Sequence, residues 1–164
     1  MGTGLLRGVA VAAGGGRALG SQGQWRIMLG GAETGGEVTV VDAVIPPGFL
    51  IPPHARDREA DVTRVLKGNL VIGDDILDAP EGTVVFRPRG VMHAVWNLGP
   101  GVAMMSSVCW PAGVEAHLDA LASLTQQETF DRNRMEELSK AHGVRYDLKH
   151  GAELAARYGL RMPG

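Results

Sequence analysis

Two groups of residues in the middle of the chain have the types and spacing for chemistry. One is Gly48-x5-His54-x-Arg56-x4-Asp61-x6-Gly68; the other is Gly82-x5-Pro88-x-Gly90-x2-His93-x3-Asn97. An imidazole titrates near neutrality, so His54 and His93 can take or give a proton. Arg56 stays charged and offers a fork of donors to a carboxylate, enolate or phenolate. Asp61 can orient Arg56 or fix a histidine tautomer. His54, Arg56, Asp61 and His93 are therefore the candidate catalytic residues, and they suit non-redox acid–base chemistry: cyclisation, dehydration, isomerisation or epimerisation.

The flanking sequence predicts how these residues are held. Gly and Pro punctuate residues 30–113 into short apolar runs. The expected strands are Glu37–Ile45, Asp61–Lys67, Leu70–Ile72, Val84–Phe86, His93–Leu98 and Val102–Trp110, with turns at Pro46-Pro47-Gly48, Gly68-Asn69 and Gly73-Asp74-Asp75. Alternation puts His93, Val95 and Asn97 on one strand face and turns Trp96 away, to be covered by a helix or a partner subunit. Many short strands between such turns suggest a mainly β jelly roll or barrel. After Gly113 the pattern becomes helical. Val114, Leu118, Leu121 and Ala122 share a face over 114–125; Asp131 is a plausible N-cap for a helix stopped by Gly143; a third helix stops at Gly159. Glu137–Arg145 lines up with Glu153–Arg161, sixteen residues on. These helices are expected to form an appendage packed on the β domain or on a dimer partner or, alternatively, a lid over the mouth of the β domain.

Together the two groups resemble the paired motifs of the cupin superfamily. From about Thr34-Gly35-Gly36 through Pro111-Ala112-Gly113 and into the helices, the chain is similar to small bacterial cupins with a quercetinase-like layout. The resemblance implies a cupin jelly-roll β-barrel with C-terminal α-helices, frequently a homodimer, with its site inside the barrel. In the family pattern the first motif supplies two His and a Glu, and the second supplies one His; these bind Fe, Mn, Ni, Cu or Zn. Here His54 and His93 match, Arg56 stands at the second His, and Asp61 stands at the Glu. The metal ligands that the resemblance leaves are His54, Asp61 and His93, with Glu59 as an alternative carboxylate, and two His with one carboxylate can hold iron. Arg56 opposes that use: it lies two residues from His54 and shares its direction in an extended chain, and a guanidinium beside a cation costs several kcal/mol at low dielectric unless an anion intervenes. The expected organisation is a flexible lead-in over 1–20, a cupin barrel over 21–113 and a helical extension over 114–164. The expected function is a small-molecule enzyme with no cofactor favoured. The alternatives are a metal-dependent (Fe, Ni, Mn or Zn) quercetinase-like dioxygenase and a non-catalytic ligand-binding cupin.

Composition narrows the function classes. A chain of 164 residues, 45% hydrophobic and 21% charged, suits one globular domain. Its net charge of −2 lacks the basic excess of a nucleic-acid binder. Cys109 is the sole cysteine, which excludes an internal disulfide and fits a cytoplasmic location. No apolar run reaches membrane-spanning length, and Leu5–Ala13 is interrupted by Arg7 and too short for a signal segment. Few aromatics, 5%, point to an aliphatic cavity for a compact apolar ligand with a polar or anionic group. Met92, Met104 and Met105 read as core filler and Cys109 as a buried small hydrophobe. Glu59 reads as a rim charge, and Arg64, Arg87, Arg89, His117, His142 and His150 as surface residues.

Overall fold

A computed structural model describes residues 7–20, 24–73, 77–125 and 131–163. The turn expected at Asp74-Asp75 and the start of the Leu5–Ala13 segment lie outside them. β1 (Arg17–Leu19), β2 (Trp25–Leu29), β3 (Thr39–Ile45), β10 (Ala103–Trp110), β5 (Ala60–Lys67) and β8 (Val84–Arg87) form one antiparallel sheet, in the order β1-β2-β3-β10-β5-β8. β11 (Val144–Tyr146), β4 (Leu50–Arg56), β9 (His93–Trp96), β6 (Asn69–Ile72) and β7 (Leu77–Pro80) form the second. The architecture is thus the mainly β jelly roll expected, resolved into two facing sheets. The lead-in is shorter than expected, because Arg17–Leu19 already pairs with β2. A one-turn helix, α1 (Gly31–Thr34), precedes β3. No described helix is long and apolar enough to cross a membrane.

Alternation builds the core. In β3 every second residue from Thr39 to Ile45 is buried. Ala43 and Ile45 there meet Val65, Met105 and Ala103 of their own sheet and Ile51, Leu70, Ile72 and Val95 of the other. Toward the opposite end the inward positions of the same strands turn polar: Asp61 and Thr63 on β5, Ser107 on β10, Arg87 on β8, His54 on β4 and His93 on β9. One sandwich therefore has an apolar half and a polar half.

The C-terminal extension closes the polar half. α2 (Val114–Thr125) packs Val114, Leu118 and Ala122 on Leu19, Ile27, Val41 and Cys109. α3 (Arg132–Ala141) starts at Asp131, whose carboxylate accepts from the Asn133 and Arg134 amides, as expected of an N-cap. α4 (Leu148–Tyr158) covers the outer face of the second sheet. Its Leu154 and Tyr158 pack with Leu160 on Leu50, Val71, Ala94 and Trp96, so a helix of the same chain buries Trp96.

The internal similarity has a structural meaning. Each copy is a helix, a glycine with positive φ (Gly143, 73°; Gly159, 66°), a buried aliphatic residue and an arginine. A left-handed backbone ends a helix without strain at glycine. The first copy continues as β11 and pairs Val144 with Arg56 and Tyr146 with His54. The second bridges Arg161 to Phe49, with the Leu50 amide donating to the Arg161 carbonyl. Two related units thus grip the two ends of β4, the strand that carries His54 and Arg56. The extension was expected to be purely helical; instead its strand β11 joins the second sheet.

Trp96 is 1% exposed and stacks on Tyr158 with ring centroids 5.8 Å apart. Trp96→Ala is expected to cost about 3–5 kcal/mol, the usual range for emptying a large aromatic site. A lowered urea midpoint with an unchanged m-value would register that loss.

Candidate functional site

His54 reaches the interior through a bulge. Opposite β9, Ile51 pairs with Val95 and His54 with His93, so β4 spends three residues where β9 spends two. The extra residue falls at Pro52-Pro53. Proline suits a bulge because it has no amide to contribute to the ladder. The slip reverses the phase of the strand, and His54 and Arg56 rather than Pro53 and Ala55 look into the cavity. The Pro52 carbonyl then accepts from His54 Nδ1–H at 2.9 Å, leaving Nε2 with its lone pair. His93 is set the same way by the Val91 carbonyl, 3.1 Å from Nδ1. The Gly90 amide donates to the Arg56 carbonyl at 2.7 Å and ties the second motif to the first. Asn97 serves the scaffold: its amide donates to the Ile45 and Gly101 carbonyls and accepts from the Gly99 amide.

The charged centre is a three-member network. Arg56 donates to Asp61 Oδ2 at 2.8 Å and Arg87 Nε donates to Asp61 Oδ1 at 2.7 Å. Arg87 also donates to the Thr63 hydroxyl at 2.6 Å, and Thr63 and Ser107 share a hydrogen bond of 2.6 Å. The side chains of Arg56, Asp61 and Arg87 are 11%, 2% and 6% exposed. Two guanidiniums against one carboxylate leave one positive charge in excess, and Arg56 Nε is buried with no partner among the described residues.

A cavity of about 370 Å³ opens beside this network. His54, Arg56, Arg87 and Ser107 line its floor, and Val41, Ala43, Ile51 and Met105 its apolar wall. His117, Leu118 and Leu121 of α2, Met135 of α3, and Tyr146 and Met162 line its other side from the extension. Asp61 and His93 stand one layer back. Asp61 holds both arginines, and the ring of His93 meets that of His54 at 4.4 Å and 61°. All four expected residues are therefore brought together, with two at the cavity surface and two behind it.

Burial sets the protonation states. It is the largest influence on His54, whose pKa is pushed well below the ordinary value; His93 and Arg56 add to the effect. Burial, then Arg87 and Arg56, depresses His93 to about 3. Burial, then Arg56, depresses His117 to about 3. Tyr146 is raised to about 12 by burial, which keeps its phenol neutral. These histidines are neutral acceptors and donors across the ordinary pH range.

The residues do not fit a resident metal of the kind the motif resemblance implies. His54 and His93 hold the right tautomers, but both oxygens of Asp61 are engaged by guanidinium groups. No three His, Cys, Asp or Glu among the described residues are grouped to bind an ion. Glu59 does not join them. It is 7% exposed rather than a rim charge, it makes no ion pair among the described residues, and burial raises its carboxyl.

Three further expectations are corrected. Arg87 is buried, because it shares the inward phase of Val85 and faces Asp61 in register. His117 is 4% exposed rather than at the surface, because its helical position falls within the stripe that faces the sheets. Met105 both fills the core and lines the cavity. The role of Arg87 had a sequence signal, since an inward Asp61 requires a cation. Tyr146 had none, as it enters through a strand formed only after the chain folds back. Cys109 is buried as expected, and burial raises its thiol to about 11.

No protein-family model matches the sequence, and no curated protein matches it. Solved structures do. A double-stranded β-helix protein from Klebsiella pneumoniae is 24% identical over 54% of this chain and 73% of its own, with a TM-score of 0.48. A predicted oxalate decarboxylase from Thermotoga maritima is 20% identical over 52% of this chain and 76% of its own, with a TM-score of 0.50. An RmlC-like cupin family protein from Methanocaldococcus jannaschii is 20% identical over 49% of this chain and 76% of its own, with a TM-score of 0.43. These likenesses concern the fold alone: the chain shares the antiparallel two-sheet architecture of the Thermotoga maritima protein.

Two outcomes follow from the site. Arg87→Ala leaves one oxygen of a buried carboxylate without its guanidinium partner, and a stability loss of about 3–5 kcal/mol is expected in urea unfolding. His93 and His117 titrate near 3 when folded and near 6.5 when unfolded, so between those values the unfolded chain binds more protons. Stability should be full above about pH 6.5 and fall as the pH drops toward 3, with a shallower slope in His93→Asn; calorimetry across that window checks it.

Proposed function

We propose that the protein is a small-molecule enzyme of acid–base type, acting without redox chemistry on a compact, largely apolar substrate with an anionic oxygen. The observation that carries this reading is the locked Arg56 beside a neutral His54 in one apolar cavity. A buried excess positive charge attracts an anionic group, and inside a water-poor cavity that attraction exceeds its value in bulk water. Arg56 anchors the carboxylate, enolate or phenolate. His54 Nε2, its lone pair free, takes a proton from an adjacent carbon or hydroxyl and returns it at the neighbouring position. Asp61 and Arg87 keep Arg56 from swinging, and His93 fixes the plane of the His54 ring. Proton removal beside an anchored oxyanion is the shared step of isomerisation, cyclisation and dehydration.

A metal-dependent dioxygenase is the second reading, because both histidines present free Nε2 lone pairs. The engagement of Asp61 weighs against it. A ligand-binding cupin without turnover shares the anion anchor and differs only in lacking proton transfer.

Solvent-deuterium exchange into a panel of aryl ketones and aryl keto acids, followed by NMR, separates the three. We expect catalysed exchange in at least one compound, unchanged by EDTA, with at least tenfold losses in His54→Asn and Arg56→Gln. Stoichiometric iron, nickel or manganese in protein purified without chelator, together with EDTA-sensitive turnover, would overturn the acid–base reading.

A further inference from the structure

The mechanism above uses the floor of the cavity and leaves a polar group on its extension side unexplained. His117 sits on α2 within the apolar stripe formed by Val114, Leu118 and Leu121. It is 4% exposed. Its Nε2 lies 3.1 Å from Ser139 Oγ of α3, and Ser139 is fully buried. Its Nδ1 is buried without a partner among the described residues.

The proton on this ring can be assigned from the pair. No other acceptor for the Ser139 hydroxyl is found among the described residues, so Ser139 satisfies its own proton by donating to Nε2. The reverse arrangement would leave both the hydroxyl proton and Nδ1 unpaired. With Nε2 accepting, the neutral ring carries its proton on Nδ1, a buried donor with nothing to receive it. Leaving such a donor unpaired costs about 1–3 kcal/mol, so the site gains by offering it an acceptor. Arg56 Nε is another buried donor without a partner among the described residues, and like His117 it belongs to a residue that lines the cavity. The rings connect the two: His54 lies 5.6 Å from Tyr146, and Tyr146 lies 6.4 Å from His117. His142, the outer neighbour of His117 at 5.8 Å, is half-buried, and Arg56 is the charge acting most strongly on His117.

We propose that His117 is a second ligand-binding residue of the cavity, whose Nδ1–H donates to a second oxygen of the bound molecule, and that the natural substrate therefore carries two acceptor oxygens. One is the anionic oxygen at Arg56; the other is a carbonyl or hydroxyl oxygen facing the extension. A hydroxyaryl carboxylate or a dicarbonyl enolate has this chemistry, whereas a simple monocarboxylate does not. The inference rests on the anion-anchoring role of Arg56. It gives the helical extension a direct part in recognition, with Ser139 as the positioning residue that fixes the tautomer.

The test uses three rigid fluorescent probes on the full chain: 2-naphthoate, with one oxygen function, and its 3-hydroxy and 6-hydroxy derivatives, with two at different spacings. The wild type is expected to bind at least one hydroxylated probe about tenfold more tightly than 2-naphthoate. His117→Leu should erase that preference, His117→Gln should restore part of it, and Ser139→Ala should weaken it. Arg56→Gln should weaken all three. A wild type with no preference, or a preference that survives His117→Leu in a protein with native circular dichroism, overturns the role of His117 alone. Equal binding of all probes by Arg56→Gln and wild type, or no binding of any probe by wild type, overturns the anion-anchor reading and this inference with it.

Discussion

The interior of the sandwich depends on one carboxylate. Asp61 is 2% exposed and accepts from Arg56 on one oxygen and Arg87 on the other, with the Thr63 hydroxyl beside it. Removing three charges from water is costly, and only close, fully paired geometry recovers that cost. The sheet supplies the geometry: Asp61 faces Arg87 across β5 and β8, and the Arg56 side chain arrives from the opposite sheet. The network is thus a polar bolt between the two sheets at the end where the apolar core gives way to the cavity. It also fixes the electrostatics of everything nearby, since Arg56 and Arg87 both hold His93 neutral and Arg56 acts on His54 and His117.

The same constraint explains why this site departs from a metal centre. A guanidinium at position 56 needs an anion, and Asp61 is the nearest one. Once its oxygens are engaged, the two imidazoles lack a third ligand among the described residues. One substitution relative to the motif pattern therefore changes the role of the other residues. The carboxylate becomes a clamp between two guanidinium groups, and the histidines are held neutral.

The extension is integral to this arrangement. β11 zips onto β4 at His54 and Arg56, the second repeat grips β4 at Phe49 and Leu50, and α2 and α3 close the cavity above. Helices that pack on a sheet face usually protect a core. Here the extension also imports polar groups that no motif announces, His117 from α2 and Tyr146 from β11. Sequence reading found six strands of the β domain, the three long helices, the outward turn of Trp96 and the four residues His54, Arg56, Asp61 and His93, because each has a local cause: alternation, capping, glycine turns or motif spacing. It missed β1, β2, β7 and β4, the last because its prolines hide the strand that carries His54 and Arg56. It placed Arg87, Glu59 and His117 at the surface, because a charged or polar residue defaults to water unless a partner is known, and those partners lie on distant strands and helices.

What the sequence determined by itself was the periodicity, and with it a mainly β domain followed by helices and the two clusters of chemically able residues. Only the tertiary structure decided the phase and the company of those residues. A single bulged residue at Pro52-Pro53 reverses which side chains of β4 face inward. The partner of Asp61 depends on strands more than twenty residues apart in sequence meeting in register. Local pattern follows from steric preferences a few residues long; burial and charge pairing are properties of the assembled interior, and they decide which imidazole is neutral and which cation still seeks an anion.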